Sequence, residues 1–276
     1  MRLQPSWQVV ALTRAPAMVA DLRAAGIEAI GADFDSDQAA SALRSLADRA
    51  AVAYLAPPAA HGTTDPRFER FLGMLADVCP TVLLYMSTTG VYGDAAGAAV
   101  DESSPAIPTN DRSRRRVAAE GVARAWAGAR GTRCVILRVP GIYGPHRLPL
   151  ERLHRGEPAL RPEDSGPGNR IHVDDLVECC ISSIEQPVSG VFNVGDGDHA
   201  STTEFLQKVA ALAGLQPPRL VSLAEAQGQI APGMLEYLVE SRHVLTTRMR
   251  EELGVIPRHG SLDSGIAASL AEMRAP

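Results

Sequence analysis

Short apolar runs alternate along the chain with longer stretches in which apolar residues recur at helical spacing. The runs typical of buried strands are Trp7–Thr13, Glu28–Ala32, Ala51–Leu55, Thr81–Met86, Arg133–Arg138 and Val191–Val194. The helical stretches are Ala17–Ala25, Asp37–Ala47, Phe68–Val78, Arg114–Ala127, Asp174–Glu185 and Thr202–Leu212, with two more near Ser241–Leu253 and Ser261–Met273. Such alternation predicts an α/β fold in which helices cover a parallel sheet.

The segments between these elements predict loops and one smaller lobe. Residues 94–113 are rich in Gly, Asp, Ser and Pro, and residues 144–170 contain several Pro and Gly, so we expect both to be largely irregular. The helix at Asp174–Glu185 begins with an Asp whose side chain we expect to cap it. Because there is no internal repeat and no low-complexity linker, the pattern predicts one compact α/β body with a small lobe late in the sequence.

The composition is that of an ordinary globular protein. Of 276 residues, 45% are hydrophobic and 21% are charged, and the net charge of −5 argues against a nucleic-acid groove or a polybasic membrane surface. No apolar run reaches the ~18 residues that span a membrane. Met1 to Trp7 lack the hydrophobic core of a secretory signal. Four cysteines are too few for a disulfide framework, so we expect a reducing, cytoplasmic setting.

Polar and glycine-containing motifs follow several predicted strands directly. They are Ser87–Asp94, Leu137–Pro145, Asn169–Leu176 and Val191–Gly195. In an open parallel sheet, ligands bind beyond the carboxyl ends of the strands, so the hydroxyl groups of Ser87, Thr88 and Thr89 are candidates for a site. The alternative is an ordinary strand-end turn held by Ser and Thr hydrogen bonds.

In this order and spacing, the four motifs resemble those of the extended short-chain dehydrogenase/reductases, the NAD-dependent epimerase/dehydratase family. The resemblance covers the chain from about Trp7 to Leu270. It implies a Rossmann-like parallel sheet, truncated at its N-terminus, with a small C-terminal substrate lobe. Residues 1–145 would then form the nucleotide-binding part. Residues 146–276 would form most of the substrate lobe, with residues 171–195 returning to the sheet.

The resemblance also assigns site residues. Thr88 takes the place of the family's active-site Ser or Thr, which hydrogen-bonds the reacting oxygen. The resemblance also implies contacts with NAD or NADP, and Asp33 and Phe34 match the strand end that lies against the adenine. The two matching loops are Ala56, Pro57 and Pro58, beside the pyrophosphate and the nicotinamide ribose, and Pro140, Gly141 and Ile142, beside the nicotinamide. We expect a small-molecule substrate and no nucleic-acid or membrane partner, and a homodimer is left open.

Arg14 ends the first predicted strand, where NAD-preferring members of the family carry an acidic residue for the adenosine ribose 2′-hydroxyl. An arginine at this place suits a 2′-phosphate, so the resemblance favours NADP over NAD. A solvated surface arginine is the alternative interpretation.

The chain departs from the family pattern at the phosphate-binding turn. The family begins with a strand and a G-x-x-G-x-x-G turn, whose amides hold the pyrophosphate at a helix N-terminus. Here the first glycine is Gly26, and Trp7–Thr13 matches the family's second strand. Either the chain starts at an internal Met, or its sheet pairs differently. Because the absent strand is central in the Rossmann order, we expect two unpaired edges and weak dinucleotide binding.

A second departure removes the family's proton-transfer pair. Its Tyr-x-x-x-Lys falls at Arg112 and Arg116, in a frame set by Val117–Glu120. Arginine stays protonated at any workable pH, so Arg112 can anchor an anion or stabilise an oxyanion but cannot shuttle a proton. Lys208 is the sole lysine among 27 basic residues. Thr88, Arg112 and Arg116 are our candidate catalytic residues, with a solvated face as the alternative for the arginines.

A third departure concerns the substrate. Sugar-nucleotide members of the family carry an Arg at the position of Gly168, where it contacts the substrate diphosphate.

The spacing of His, Cys and carboxylate residues does not support a metal site, and we expect none. The resemblance predicts an epimerase/dehydratase- or reductase-type enzyme of unknown substrate. A non-catalytic relative that binds a nucleotide or acts as a scaffold is the alternative.

Overall fold

The computed structural model describes residues 7–35 and 40–274 as alternating strands and helices. The strands are β1 (Val10–Thr13), β2 (Glu28–Gly31), β3 (Ala51–Tyr54), β4 (Val82–Thr88), β5 (Ala99–Val100), β6 (Arg133–Val139), β7 (Gly141–Tyr143), β8 (Ala159–Leu160), β9 (Arg170–His172), β10 (Gly190–Asn193), β11 (Leu220–Val221) and β12 (His243–Val244). The helices are α1 (Pro16–Ala24), α2 (Ala40–Ala47), α3 (Pro66–Met74), α4 (Asp111–Gly128), α5 (Leu150–His154), α6 (Val173–Glu185), α7 (Thr202–Ala213), α8 (Leu223–Ala226), α9 (Pro232–Val239), α10 (Thr247–Glu251) and α11 (Leu262–Arg274). The predicted α/β class is confirmed, and the helix start predicted at Asp37 lies outside the described residues.

Four parallel strands form the larger sheet, in the order β10-β6-β4-β3. β4 and β6 pair along their whole length, which places Thr88 beside Val139 at the carboxyl edge. Their side chains alternate between two buried faces, so that Tyr85 packs with α3 and α4 while Leu84 packs with α6. Burial on both faces accounts for the unbroken apolar runs in the sequence.

β1 and β2 form a separate parallel sheet of two strands. The Ala32 amide donates to the Thr13 carbonyl, so the amide and carbonyl of Thr13 point toward β2. The amides and carbonyls of Val10 and Leu12 therefore point to the opposite side of β1. Among the described residues, no strand pairs with that side of β1, or with the side of β3 that faces away from β4. Within the described ranges, one side of β1 and one side of β3 are therefore unpaired.

Side chains, rather than backbone pairing, connect the two sheets. Leu12 of β1 and Phe34 after β2 pack against the hydrophobic cluster that includes Tyr54 and Phe71. The Phe34 ring centre lies 5.1 Å from that of Phe71 and 6.3 Å from that of Tyr54. Burial is incomplete, however, because no residue of β1 or α1 is buried and Ala53 of β3 is exposed. The smaller sheet is attached through a few side chains.

The later part of the chain adds short parallel strand pairs and helices around a second core. β7 pairs with β9, β8 with β11, and β5 with β12. Helix α7 begins with a capping box, in which the Ser201 and Glu204 side chains each accept the other residue's amide. Lys208 on α7 forms an ion pair with Asp263 on α11, with Nζ and Oδ2 2.5 Å apart. The capping box thus stabilises the start of α7, and the ion pair connects α7 to α11.

The helix predicted near Ser241–Leu253 is wrong over its first half. β12 occupies that part, and helix α10 is limited to Thr247–Glu251. The reason is tertiary pairing, because the His243 amide donates to the Ala98 carbonyl and the Val244 amide donates to the Asn169 side chain. Backbone groups that find partners on another strand outweigh a local helical pattern.

Two helix starts also differ from the prediction. The cap of α6 is His172, whose Nδ1 accepts from the Asp174 amide at 3.2 Å, so the prediction that Asp174 caps the helix is wrong. Helix α4 begins at Asp111, inside the predicted loop, because the Asn110 side chain accepts from the Ser113 amide and caps it. In both cases the capping residue precedes the apolar pattern that defines the helix.

None of the helices in the described ranges is long and apolar enough to cross a membrane. All four cysteines are free thiols; Cys134 and Cys179 are buried and Cys79 is exposed.

Candidate active site

Thr88 lies at the carboxyl end of β4, where the sheet meets the turn Thr89–Tyr92. Its Oγ1 accepts a hydrogen bond from the Gly90 amide at 3.2 Å and so caps this turn. Because that bond uses an oxygen lone pair, the hydroxyl proton stays available for an acceptor outside the turn. The side chain is half-buried. Thr88 can therefore cap the turn and donate to a ligand at the same time.

Close packing fixes the turn against the start of α4. A Cβ atom at Gly90 would lie 2.9 Å from the Ser113 Oγ, which is closer than real Cβ contacts allow. Ser113 is itself held in place, because its amide donates to the Asn110 side chain at 3.0 Å. Glycine at position 90 thus lets α4 approach the end of β4 and positions Thr88.

A buried hydrogen-bond network supports this edge of the sheet. Ser87 donates to Glu120 on α4 at 2.6 Å, and Arg138 on β6 donates to the two Glu120 oxygens at 3.1 and 2.8 Å. The Arg138 guanidinium lies 4.8 Å from the Tyr92 ring centre, and the Tyr92 hydroxyl donates to Asn193 at 2.8 Å. Burial raises the pKa of Tyr92 and keeps it a neutral donor. All five side chains are buried, and they join β4, β6, β10 and α4.

Sequence reasoning missed this network. The available signal is Arg138, a charged residue at the end of an apolar strand, which requires a partner once it is buried. Glu120 lies 18 residues earlier, on a helix, so spacing along the chain does not identify it as that partner.

Arg116 faces the sheet from α4. It is half-buried, its Nη1 donates to the Tyr85 hydroxyl at 3.0 Å, and its guanidinium carbon lies 5.6 Å from the Tyr85 ring centre. Burial raises the pKa of Tyr85, and the charge and hydrogen bond of Arg116 oppose that rise. Arg116 therefore pairs with a phenol but has no proton to release at a workable pH.

The other arginines at the start of α4 have different surroundings, so one solvated face does not describe the cluster. Arg115 is buried and donates to the Gly62 carbonyl at 2.5 Å. Arg114 pairs with Asp111 on the surface, with Nη1 and Oδ1 2.8 Å apart. Arg112 is exposed. Of the two predicted catalytic arginines, the structure turns Arg116 toward β4 and leaves Arg112 at the surface.

The segment Pro140–Ile142 follows β6 at the same edge as Thr88. Since Thr88 pairs with Val139, this segment begins directly beside the end of β4. Its last two residues belong to β7, whose pairing with β9 holds them half-buried. The structure therefore brings Thr88 and the residues predicted beside the nicotinamide to one place.

The residues predicted beside the adenine and the pyrophosphate lie on different sheets. Asp33 is exposed and its side chain caps a tight turn after β2, and Phe34 is half-buried against α3. The loop Ala56–Pro58 follows β3, and its Pro57 carbonyl accepts a hydrogen bond from Arg67 at 3.5 Å. Within the described residues, these two groups are not bridged by a strand or a glycine-rich turn.

Arg14 and Arg67 both contact the carboxylate of Asp35. Its Nη1 lies 3.6 Å from Asp35 Oδ2, and Arg67 on α3 donates from Nε and Nη2 to the two Asp35 oxygens at 2.9 and 2.8 Å. The hydrogen bonds from Arg67 lower the pKa of Asp35, and the charges of Arg67 and Arg14 act in the same direction. The sequence predicts Arg14 as a cofactor contact, whereas Arg67, 32 residues from Asp35, is apparent from the fold alone.

Gly168 leaves no room for the substrate-binding arginine of the family. A Cβ atom there would lie 2.7 Å from both the Ala200 carbonyl oxygen and Arg170 Nη1. The Arg170 guanidinium donates to that carbonyl at 2.6 Å and lies 4.5 Å from the Phe205 ring centre. Arg170 is thus engaged in the second core and does not replace the absent side chain.

His172, Asp174 and His259 place potential metal-ligand atoms within 4.8 Å of one another. Both ring nitrogens of His172 are in use, because Nδ1 accepts the Asp174 amide and Nε2 lies 3.2 Å from Ser269 Oγ. Burial and the neighbouring His259 lower the pKa of His172. Since the amino end of α6 also carries positive potential, this cluster fits a helix cap and does not fit a cation.

The sequence matches the family model described as NAD dependent epimerase/dehydratase family over residues 7–195. A 3-diazoavenalumate denitrifying reductase from a Streptomyces species is 28% identical over 138 residues, which cover 48% of this chain and 45% of that protein. The chain spans about half the length of the curated relatives it matches.

Solved structures share the fold over nearly the whole chain. A functionally unknown conserved protein from Silicibacter pomeroyi aligns with a TM-score of 0.81 and 28% identity, covering 98% of this chain and 92% of that one. A UDP-glucuronic acid 4-epimerase from Bacillus cereus in complex with NAD aligns with a TM-score of 0.76 and 16% identity, covering 98% and 92%. The architecture is therefore Rossmann-like, and because the family model matches more than half of the sequence, the chain belongs to the NAD-dependent epimerase/dehydratase family of extended short-chain dehydrogenase/reductases.

Proposed function

We propose that the protein is an NAD(P)-dependent enzyme of the epimerase/dehydratase or reductase type, acting on a small molecule with a hydroxyl or carbonyl group at the reacting carbon. Thr88 carries this proposal, because its hydroxyl proton is free to donate at the carboxyl end of β4. A hydrogen bond from Thr88 would stabilise the negative charge that develops on the substrate oxygen. The residues around it are held by a buried network and need not rearrange.

The described residues fit one end of the dinucleotide better than the other. Thr88 and Pro140–Ile142 lie together and support the placement of the nicotinamide there. At the pyrophosphate end, residues 7–35 contain no glycine-rich turn, and the sheet is interrupted. A bound nicotinamide would supply or accept the hydride. Because Arg112 and Arg116 keep their protons, we assign the proton transfer to water or to a group on the substrate.

A second candidate is a non-catalytic relative that binds a nucleotide or a partner protein. The positions of the family's Tyr and Lys favour this alternative. Arginines stand at both positions, so the phenol that the family uses for proton transfer is absent there. Arg112 is exposed, and Arg116 donates to the Tyr85 hydroxyl. Such a protein would bind nucleotide without consuming it.

Further parts of the proposal concern the substrate, the cofactor and the setting of the protein. Gly168 argues against a sugar-nucleotide diphosphate, and Arg14 supports NADP over NAD. The proposed division has a nucleotide-binding part, 1–145, and a substrate lobe that takes most of 146–276, and the pairing of β10 with β6 supports the return of residues 171–195 to the sheet. The free thiols support a cytoplasmic location. Sedimentation analysis would decide between a monomer and a homodimer.

The test follows the consumption of NADPH and NADH with a panel of aldehydes and ketones. Thr88→Ala is expected to lower turnover by ~100-fold or more, since a lost oxyanion donor has this cost, whereas Thr88→Ser keeps the hydroxyl and most of the activity. Thr81→Ala, which changes the same residue type just before the opposite end of β4, is the matched control and should leave turnover unchanged. A loss below about threefold in Thr88→Ala would remove Thr88 from the mechanism. Nucleotide binding without consumption would favour the second candidate.

A further inference from the structure

Arg14, Asp35 and Arg67 meet at the carboxyl edge of the interrupted sheet although they belong to different elements. Arg14 follows β1, Asp35 follows β2, and Arg67 lies in the first turn of α3, which follows β3. The first two therefore belong to the smaller sheet and the third to the larger one. Ligands of parallel α/β sheets bind at this edge.

Two cations share a single carboxylate in this cluster. Arg67 makes two parallel hydrogen bonds to Asp35, at 2.9 and 2.8 Å, in the side-by-side geometry that a guanidinium group also makes with a phosphate. Arg14 approaches the same carboxylate at 3.6 Å. Two further charges lie beside these three side chains, because Asp33 Oδ1 accepts the Asp35 amide at 2.9 Å and the charge of Arg70 also lowers the pKa of Asp35. Three arginines and two carboxylates leave a net positive charge. A group with two negative charges would satisfy it better than Asp35 does.

The two arginines differ in mobility. The Arg67 side chain is 19% exposed and also contacts the Pro57 carbonyl, so its guanidinium is held in place before any ligand arrives. The Arg14 side chain is 66% exposed and can move to follow a ligand. Asp35 is 45% exposed, so its carboxylate can turn into water when another anion takes its position.

We propose that Arg14 and Arg67 bind a phosphate group of a nucleotide, and that the Asp35 carboxylate occupies these arginines when no ligand is bound. The inference deepens the proposed function and rests on it for the class of ligand. Side-chain cations would here supply the positive charge that backbone amides of a glycine-rich turn supply in the family pattern. Displacement of Asp35 also breaks the ion pair between the two sheets, so that ligand binding releases one of their connections.

The experiment is a calorimetric titration of the full chain with adenosine 2′,5′-bisphosphate and with adenosine 5′-diphosphate. Asp35→Asn is expected to tighten binding by ~10-fold, because it removes a charge-assisted competitor. Arg67→Gln is expected to weaken binding by a similar factor and to abolish the gain when combined with Asp35→Asn. Tighter binding of the bisphosphate would assign the site to a 2′-phosphate, and tighter binding of the diphosphate would assign it to a pyrophosphate.

Glu252→Gln is the matched control. Glu252 accepts two hydrogen bonds from Arg248, at 2.5 and 2.7 Å, with 44% of its side chain exposed, but it lies on the other side of the larger sheet, next to α10. This variant should bind both nucleotides as the wild type does, and melting curves will show that each variant is folded. Equal affinities in the wild type, Asp35→Asn and Arg67→Gln would overturn the proposal. Phosphate binding that follows these variants without NADPH consumption would leave this site standing and remove the enzymatic function.

Discussion

The two sheets of this protein differ in how completely they are built. In the larger sheet, β4 and β6 have a neighbour on each side and bury most of their side chains. In the smaller sheet, β1 has one neighbour among the described strands, and neither β1 nor α1 buries a residue. Thr88 ends β4 of the larger sheet and Pro140–Ile142 follow its strand β6, whereas Arg14 and Phe34 follow the strands of the smaller sheet.

The two sheets also differ in how firmly they hold their candidate site residues in place. The larger sheet holds its candidate catalytic threonine with buried hydrogen bonds between four elements. The smaller sheet holds its candidate nucleotide contacts with two exposed ion pairs to Asp35 and two ring contacts of Phe34. The surroundings of the candidate catalytic threonine are therefore fixed by buried groups, whereas the candidate nucleotide contacts rest on exposed groups that can move.

The largest effect on stability is expected from Glu120→Ala, which breaks the network of the larger sheet. The Arg138 side chain, 7% exposed, would lose its anionic partner, and breaking a buried pair in this way costs ~3–5 kcal/mol. Urea unfolding will measure this cost. Glu252→Ala removes a more exposed pair on the same protein and should cost at most ~1 kcal/mol. Equal costs would mean that the network adds no rigidity beyond that of a surface pair.

A smaller loss of stability is expected when one leucine of each sheet is replaced by alanine. Leu84 of β4 is fully buried, so Leu84→Ala should cost ~2–5 kcal/mol through lost contacts and the cavity left behind. Leu12 of β1 is half-buried, so Leu12→Ala should cost ~1 kcal/mol. Both values come from the same unfolding titration. A Leu12 cost as high as that of Leu84 would show that the smaller sheet is packed as tightly as the larger one.

The smallest free energy is expected for local opening of β1. The Val10 and Leu12 amides point away from β2 and should exchange with solvent through opening that costs ~0–1 kcal/mol, because no described strand accepts them. The Leu84 and Tyr85 amides in the paired β4 should exchange through global unfolding. Native-state hydrogen exchange resolves these amides individually. Similar protection in β1 and β4 would contradict the comparison.

The larger sheet could be predicted from the sequence because burial on both faces leaves an apolar run. The end of β4 could not, since Ser87 and Thr88 extend the strand through pairing with β6 and not through hydrophobicity. The predicted loop at 144–170 contains α5 and β8, which are too short to produce a periodic pattern. Isolated turns and two-residue strands depend on tertiary partners.

Some contacts of the candidate site could be predicted from the sequence, and others could not. The order of the motifs predicts that Thr88 and Pro140–Ile142 meet, because the carboxyl ends of neighbouring parallel strands share an edge. The contact of Arg116 with Tyr85 joins residues 31 apart, and it forms where a helix packs on a strand. Spacing along the chain does not encode such contacts. An arginine that looks like any other in the sequence acquires a particular role once the fold places a partner beside it.

The unpaired strand edges also bear on how copies of this protein would meet at high concentration. A strand side that carries unpaired amides and carbonyls is a template for another extended chain. The uncovered sides of β1 and β3 are different surfaces, so pairing of β1 from one copy with β3 from the next would be head to tail. Contacts of that kind do not form a symmetric pair; they give a closed ring when the rotation between copies closes, and an open filament when it does not. Among the described strands, such a contact would use the side of β3 that faces away from β4, so β3 would lie between it and Thr88.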